Sequence, residues 1–490
     1  MNKNRLVVIA YIWNFSSNLI IRGLGLISTL ILVRVLSNDD FGIIAIAMMV
    51  NGFFDVLANV GINRYLILKK SPSHHEYSNA WSLNIMLKLI LASVMCLLSG
   101  VFANYFEMPE LYSVIIVMAL IQIVSSFNNV GLIKLEKELN FSVVNRISIF
   151  SKVISFFVTI SCALYFENYY ALLIGLFFNS VSRCAGSYIF CDFRPRFVLN
   201  YDHNMFSASL FLFVRNFFGY SRAQVDTFFV SSQFGKDTTG DYSVSKQFSA
   251  MPYGELIGPA MAPIFSALSA LKSQKEDLHN KSLQTLFLIL LIIFPSSVGL
   301  YAIRDEFTLV VLGDKWGHIS DALGWLAFMM LVFAIQPVIN IIFDAYGKIK
   351  ESIVIEVFGL SGLIATFIWI APSTLQGFIE IRIFIALTVI VFMLLYATLL
   401  VQFRLLAFSW IVAFLAIPTV MMYWCVSFVG SDGASLFSIL LLKVAAGTSS
   451  YVAGSYIMLL LQVFVLKSKV IETVVPSKVF KLAKLERFLS

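Results

Sequence analysis

Charge is scarce in this chain. Asp, Glu, Lys and Arg make up only 13% of its 490 residues, about half of what a soluble domain carries, while 59% are hydrophobic and the mean hydropathy is +0.86. A water-soluble globule is thereby excluded. Cysteine is scarce too: Cys96, Cys162, Cys184, Cys191 and Cys425 all fall in apolar stretches or at their ends. That placement excludes a disulfide framework and leaves them as small packing residues. No G-x-x-x-x-G-K-[ST] run occurs, so the chain has no P-loop with which to hydrolyse ATP. His74-His75-Glu76 lacks the H-E-x-x-H spacing of a zinc helix and reads as a solvated loop. Long polar stretches are missing as well. The longest outer connection runs roughly over 304–319, so no soluble domain is expected on either side.

What the chain has instead is apolar length. A bilayer span takes about 20 mostly apolar residues, and fourteen stretches qualify: 8–36, 41–63, 80–104, 112–132, 144–166, 169–190, 205–233, 243–270, 283–303, 320–345, 352–371, 380–402, 407–428 and 436–466. The first exceeds a signal-peptide core and lacks a cleavage motif, so it is expected to be retained. Lysine and arginine crowd alternate connections: Lys3, Arg5, Arg64, Lys69, Lys70, Lys134, Lys137, Arg194, Arg196, Lys272, Lys275, Lys281, Lys348, Lys350, Arg404, Lys467 and Lys469 share one side. The other side has Lys236, Arg304 and Lys315, with Arg34 and Arg382 at span edges. By the positive-inside rule both termini are cytoplasmic. The net charge of +7 is therefore mostly a topology signal and implies no nucleic-acid partner. The tail, 467–490, interleaves Lys478, Lys481, Lys484 and Arg487 with Val479, Phe480, Leu482, Leu485 and Phe488. It reads either as an interfacial amphipathic helix or as a frayed basic tail.

A faint internal repeat divides the spans. Leu36-Ser37-Asn38-Asp39-Asp40-Phe41-Gly42 resembles Phe234-Gly235-Lys236-Asp237-Thr238-Thr239-Gly240, 198 residues on, and the same offset pairs Asn18 with Asn216 and Thr29 with Thr227. A period of six spans preserves orientation, so the repeat is parallel, with a pseudo-two-fold axis along the membrane normal. The expected fold is all-α: an N-terminal six-helix bundle over 1–198, a second over 199–402, and two added helices over 403–466. Span 8 carries Pro252, Gly254, Gly258, Pro259 and Pro263, which predicts a kinked helix. Asn38-Asp39-Asp40 could hold a metal and a sugar phosphate, as acids in an outer loop of membrane glycosyltransferases do. The twin around Asp237 and Gly240 favours a turn with helix-capping acids.

Ionisable residues inside spans cost about 3 kcal/mol each at mid-helix and tend to face a cavity or one another. In the first bundle these are Arg22, Asp55, Lys88, Arg146, Lys152 and Arg183, five basic and one acidic. A cavity lined by them attracts an anion. Span 7 carries Arg215, Arg222 and Asp226 at i, i+7 and i+11, on one helical face. Glu255 and Glu356 add acid and suit a cation site. Arg146, Lys152 and Arg183 have a second reading as snorkelling side chains, Arg222 with Asp226 as an ion pair within one helix, and Arg34 as either an interfacial anchor or an outer phosphate contact.

Three stretches carry a resemblance: Leu32-Val33-Arg34-Val35-Leu36-Ser37-Asn38-Asp39-Asp40-Phe41-Gly42, Asp226-Thr227-Phe228-Phe229-Val230 leading to Gly235, and Leu312-Gly313-Asp314-Lys315-Trp316. With them the chain resembles the Wzx-type oligosaccharide flippases, the polysaccharide-transport branch of the multidrug/oligosaccharidyl-lipid/polysaccharide exporter superfamily. The resemblance implies a bacterial inner-membrane protein that moves undecaprenyl-diphosphate-linked oligosaccharide between leaflets by alternating access, beside polymerase and other assembly proteins. It implies a cationic cavity, for which Arg22, Lys88, Lys152, Arg183, Arg215 and Arg222 are the candidates. Coupling to H+ or Na+ would fall to Asp226, Glu255 and Glu356. No cofactor, resident metal or catalytic residue is expected. The rival readings are a cation-coupled drug or metabolite antiporter of the same superfamily, which calls for an acid-dominated cavity, and a polysaccharide polymerase or ligase, which calls for a long outer loop with catalytic basic residues.

Overall fold

The computed structural model describes residues 3–58, 66, 69, 71–138, 140–200, 210–271, 273–430, 435–463 and 474–476. Most of the basic tail therefore lies outside the described residues. Among those described there is no strand. The helices are α1 (Lys3–Val35), α2 (Asn38–Ala58), α3 (His74–Tyr105), α4 (Glu110–Ser126), α5 (Gly131–Lys137), α6 (Phe141–Phe166), α7 (Tyr170–Ile189), α8 (Leu210–Ser249) and α9 (Gly258–Ser269). There follow α10 (Lys275–Ala302), α11 (Arg304–Phe307), α12 (Ser320–Leu326), α13 (Met329–Ala345), α14 (Ile349–Ile370), α15 (Leu375–Val401), α16 (Leu405–Ser427) and α17 (Leu436–Leu461).

Among the described residues, eleven helices are long and apolar enough to cross a membrane, or twelve if α4 and α5, bent by 62° at their junction, make one span. Fourteen were expected from the sequence. The expected spans that fall short are 205–233 and 243–270. Span 7 is diluted by Arg215, Ser221, Arg222, Gln224 and Asp226, and span 8 is broken into pieces by its prolines and glycines.

Packing divides the chain into two compact units, Met1–Ser243 and Val244–Ser490. The bundle boundary at 198/199 follows from the repeat, a different criterion, and stays an expectation. In the first unit α1 lies on α6, α6 on α7, and α4 against α2, α3 and α7. Its core gathers Ile46, Ala47, Met95, Leu111, Ile115 and Ala119, all buried. Small residues let backbones approach: Ser155 Oγ donates to the Gly175 carbonyl at 2.9 Å, and a Cβ on Gly175 would strike Thr159 Oγ1. In the second unit α10 packs on α13 and α16, α13 on α15, and α16 on α17.

Helix ends follow from local chemistry. Ser37 and Asp40 form a reciprocal N-terminal cap on α2: Asp40 Oδ2 accepts from Ser37 N at 2.9 Å, and Asp40 N donates to Ser37 Oγ at 3.3 Å. The remaining oxygen, Oδ1, accepts from Tyr169 N at 3.0 Å, tying α2 to the start of α7. Asp40 is thus a helix-capping acid, as the turn reading required, while Asp39 pairs with Lys236. His74-His75-Glu76 departs from expectation: it opens α3, with Ser73 and Glu76 closing a capping box and His74 stacked 4.6 Å from Phe193. The long connection at 304–319 is likewise no open loop. It folds into α11, a π-helical turn (Thr308–Leu312) and a 3-10 turn (Asp314–Ile319) that buries Trp316.

Candidate functional site

In the first unit the sequence's buried charges fall into groups. Lys88 of α3 reaches across to α2, where its Nζ lies 3.3 Å from Asp55 Oδ1, and to α4, where it donates to Ser125 Oγ at 3.4 Å. The lysine side chain is 14% exposed and the aspartate 47%. Next to this pair stands Tyr220 of α8, an electrostatic neighbour of Asp55. Its hydroxyl donates to the Met49 carbonyl at 2.7 Å, and its ring fills the space a side chain at Gly52 would need.

Lys152 of α6 lies along α1: a Cβ on Gly25 would stand 3.8 Å from its Cε and Nζ. Arg22 is one helical turn before Gly25 and half-buried, so the α1/α6 seam carries two basic residues. Lys152 has no hydrogen-bond or ion-pair partner among the described residues. Arg183 is exposed, with Glu136 as its electrostatic neighbour. Arg146 and Arg34 are exposed. Arg222 is half-buried on α8; the side chain of Arg215 lies outside the described residues.

The acids are held differently. Asp226 is 2% exposed and accepts from the Tyr242 hydroxyl at 2.7 Å through Oδ2 and from Thr227 N at 2.8 Å through Oδ1. That contact exists because α8 breaks at Gly235, whose φ of 81° and ψ of −174° turn the chain so that Tyr242 comes back to Asp226. In the second unit Glu356 of α14 is buried and accepts from Gln336 Nε2 of α13 at 2.8 Å. Glu255 is exposed in a π-helical turn, Tyr253–Ile257, where the kink of span 8 was expected. Three charged groups escaped the sequence reading of the site. Arg382, expected at a span edge, is 3% exposed on α15. Lys443, in mid-α17, pairs with Glu306 at 2.6 Å; a charge inside an apolar run was the signal that could have found it.

The twin motifs meet. A Cβ on Gly42 would run into the Lys236 carbonyl, and a Cβ on Gly240 into the Asn38 carbonyl. Asn38 and Lys236 are themselves 198 residues apart, so the contact is reciprocal: each glycine packs on the backbone of the other motif. Around it Asn38 Nδ2 donates to Asp241 Oδ1 at 2.6 Å. Lys236 Nζ lies 2.9 Å from Asp39 Oδ2 and 3.4 Å from Glu110 Oε1. The hydrogen bond to Asp39 holds the Lys236 ammonium above the usual lysine range.

This assembly of long apolar helices, with charges held between them, is that of a multi-pass membrane protein. The solved structure of a MOP-superfamily transporter from Pyrococcus furiosus has the same fold, with a TM-score of 0.55 at 14% identity, covering 82% of this chain and 98% of that one. The chain belongs to the polysaccharide biosynthesis protein family, whose model matches residues 31–321. Lipopolysaccharide biosynthesis protein WzxC of Escherichia coli K12 is 23% identical over 369 residues, 74% of each chain. Succinoglycan biosynthesis transport protein ExoT of Rhizobium meliloti is 22% identical over 321 residues, 64% of each chain.

Proposed function

We propose that this protein is a flippase. It carries undecaprenyl-diphosphate-linked repeat units of an O-antigen, capsule or exopolysaccharide from the cytoplasmic to the outer leaflet of a bacterial inner membrane by alternating access. The observation that carries this reading is the set of basic groups placed inside helices of a polysaccharide-biosynthesis chain: Lys88 and Lys152 between helices of the first unit, with Arg22 half-buried on α1 and Arg222 on α8. A diphosphate can leave water only if charged donors replace its hydration shell, and lysine and arginine at membrane depth are costly unless they serve such a role. The prenyl tail stays in lipid while the polar head travels among these groups. Arg183 and Arg215 complete the cationic set, and Arg34 receives the phosphates at the outer end.

On this reading fourteen helices form two parallel six-helix bundles with two helices added, and both termini are cytoplasmic. The reciprocal contact of Gly42 and Gly240 then closes the outer end, and an outward-open state must break it. Asp226, Glu255 and Glu356 are the carboxylates available to couple the cycle to H+ or Na+. The product is a substrate for a polymerase, with which the protein would share the membrane.

The test is transport of a fluorescent polyprenyl-diphosphate oligosaccharide between leaflets of proteoliposomes. A charge-assisted hydrogen bond contributes about 1.5–3 kcal/mol, so Arg22→Ala and Lys152→Ala should each slow transport about tenfold or more. Label that stays in its original leaflet with wild-type protein, or an Arg22→Ala variant equal to wild type, contradicts the reading. Dye efflux from intact cells would favour the antiporter instead.

A further inference from the structure

Lys88 and Asp55 are unequal partners. The lysine is nearly buried between α2, α3 and α4, whereas the aspartate that neutralises it is about half exposed. One helical turn before Ser125, the second contact of Lys88, α4 carries Gln122, which is 4% exposed and whose amide nitrogen and oxygen both lack a hydrogen-bond partner. On α2, Asn51, one turn before Asp55, has a buried and unpartnered Oδ1. Native interiors seldom leave such groups unsatisfied. This seam therefore holds more hydrogen-bonding capacity than the protein itself uses, beside a cation whose counter-ion is the accessible member of the pair.

We propose that Asp55 is an exchangeable counter-ion: a phosphate oxygen of the substrate replaces it on the Lys88 ammonium, and water solvates the released carboxylate. The idea rests on the flippase reading and names a residue that gates substrate binding within it. The exchange balances: one anion leaves the ammonium as another arrives. The Lys88 side chain is 14% exposed and that of Asp55 47%, so the carboxylate is the member that water can hold alone. Ser125 and Gln122 supply neutral donors to the arriving phosphate. When the substrate departs, Asp55 returns to Lys88.

The experiment is calorimetric titration of the purified full-length protein with farnesyl diphosphate. Asp55→Asn should tighten binding about tenfold, because a competing anion is gone. Lys88→Gln should weaken binding about tenfold or more. Should Asp55→Asn misfold around an unpaired lysine, the Asp55→Asn/Lys88→Gln double variant restores neutrality and should bind about as weakly as Lys88→Gln. Asp55→Asn that binds no more tightly than wild type overturns the exchange and leaves the flippase reading standing. No binding of the diphosphate by wild type overturns both.

Discussion

Asp226 is a carboxylate almost wholly removed from solvent, and a buried charge persists only where hydrogen bonds replace its lost hydration. The Tyr242 hydroxyl and the amide of Thr227 are among the donors that do so here. The Tyr242 bond also spans the break at Gly235, so it clasps the two limbs of α8. Tyr242→Phe removes this donor and keeps the ring. It should destabilise the detergent-solubilised protein by about 2 kcal/mol, read as a lower thermal midpoint, and Asp226→Asn should be milder because an amide still accepts from the phenol. A Tyr242→Phe midpoint equal to wild type would show that the clasp contributes nothing.

At the scale of elements, the parts legible beforehand were those set by neighbours in sequence. The Ser37–Asp40 cap follows from its spacing, and the break near Gly235 and the disruption of span 8 follow from glycine and proline. The pairings across helices were not legible. Asp55 and Lys88 were both conspicuous as charges in spans, yet nothing along one chain says how α2 is rotated against α3, and that rotation decides whether they meet. The same ignorance hid Glu356 with Gln336 and Lys443 with Glu306. Close approach was hidden too: Gly175 reads as one glycine among many until Thr159 is seen against it. Gly175→Val should force α6 and α7 apart at a cost of about 1–3 kcal/mol, whereas Gly100→Val, in open space, should be close to neutral. Equal thermal midpoints for the two variants would refute that account of the α6/α7 seam.

For the whole molecule, the twin motifs join local chemistry to the transport cycle. Gly42 and Gly240 permit backbone contact, and the Asn38–Asp241 and Lys236–Asp39 pairs add polar closure around it. Because the Lys236 ammonium is held above its ordinary value, its contribution is intact below about pH 10.5, the unperturbed lysine value, and fades only as pH rises through the raised one. Any pH dependence of transport near neutrality must then arise elsewhere than at this contact. If the contact has to part in every cycle, fastening it stops transport. With Asn38→Cys and Asp241→Cys, a short bis-methanethiosulfonate cross-linker, which forms a disulfide at each cysteine, should abolish movement of the labelled lipid-linked oligosaccharide, and reduction should restore it. Each single-cysteine variant treated alike should keep most of its activity. Transport continuing at an undiminished rate in fully cross-linked protein would mean that this contact is permanent scaffold, and that the cycle opens somewhere else.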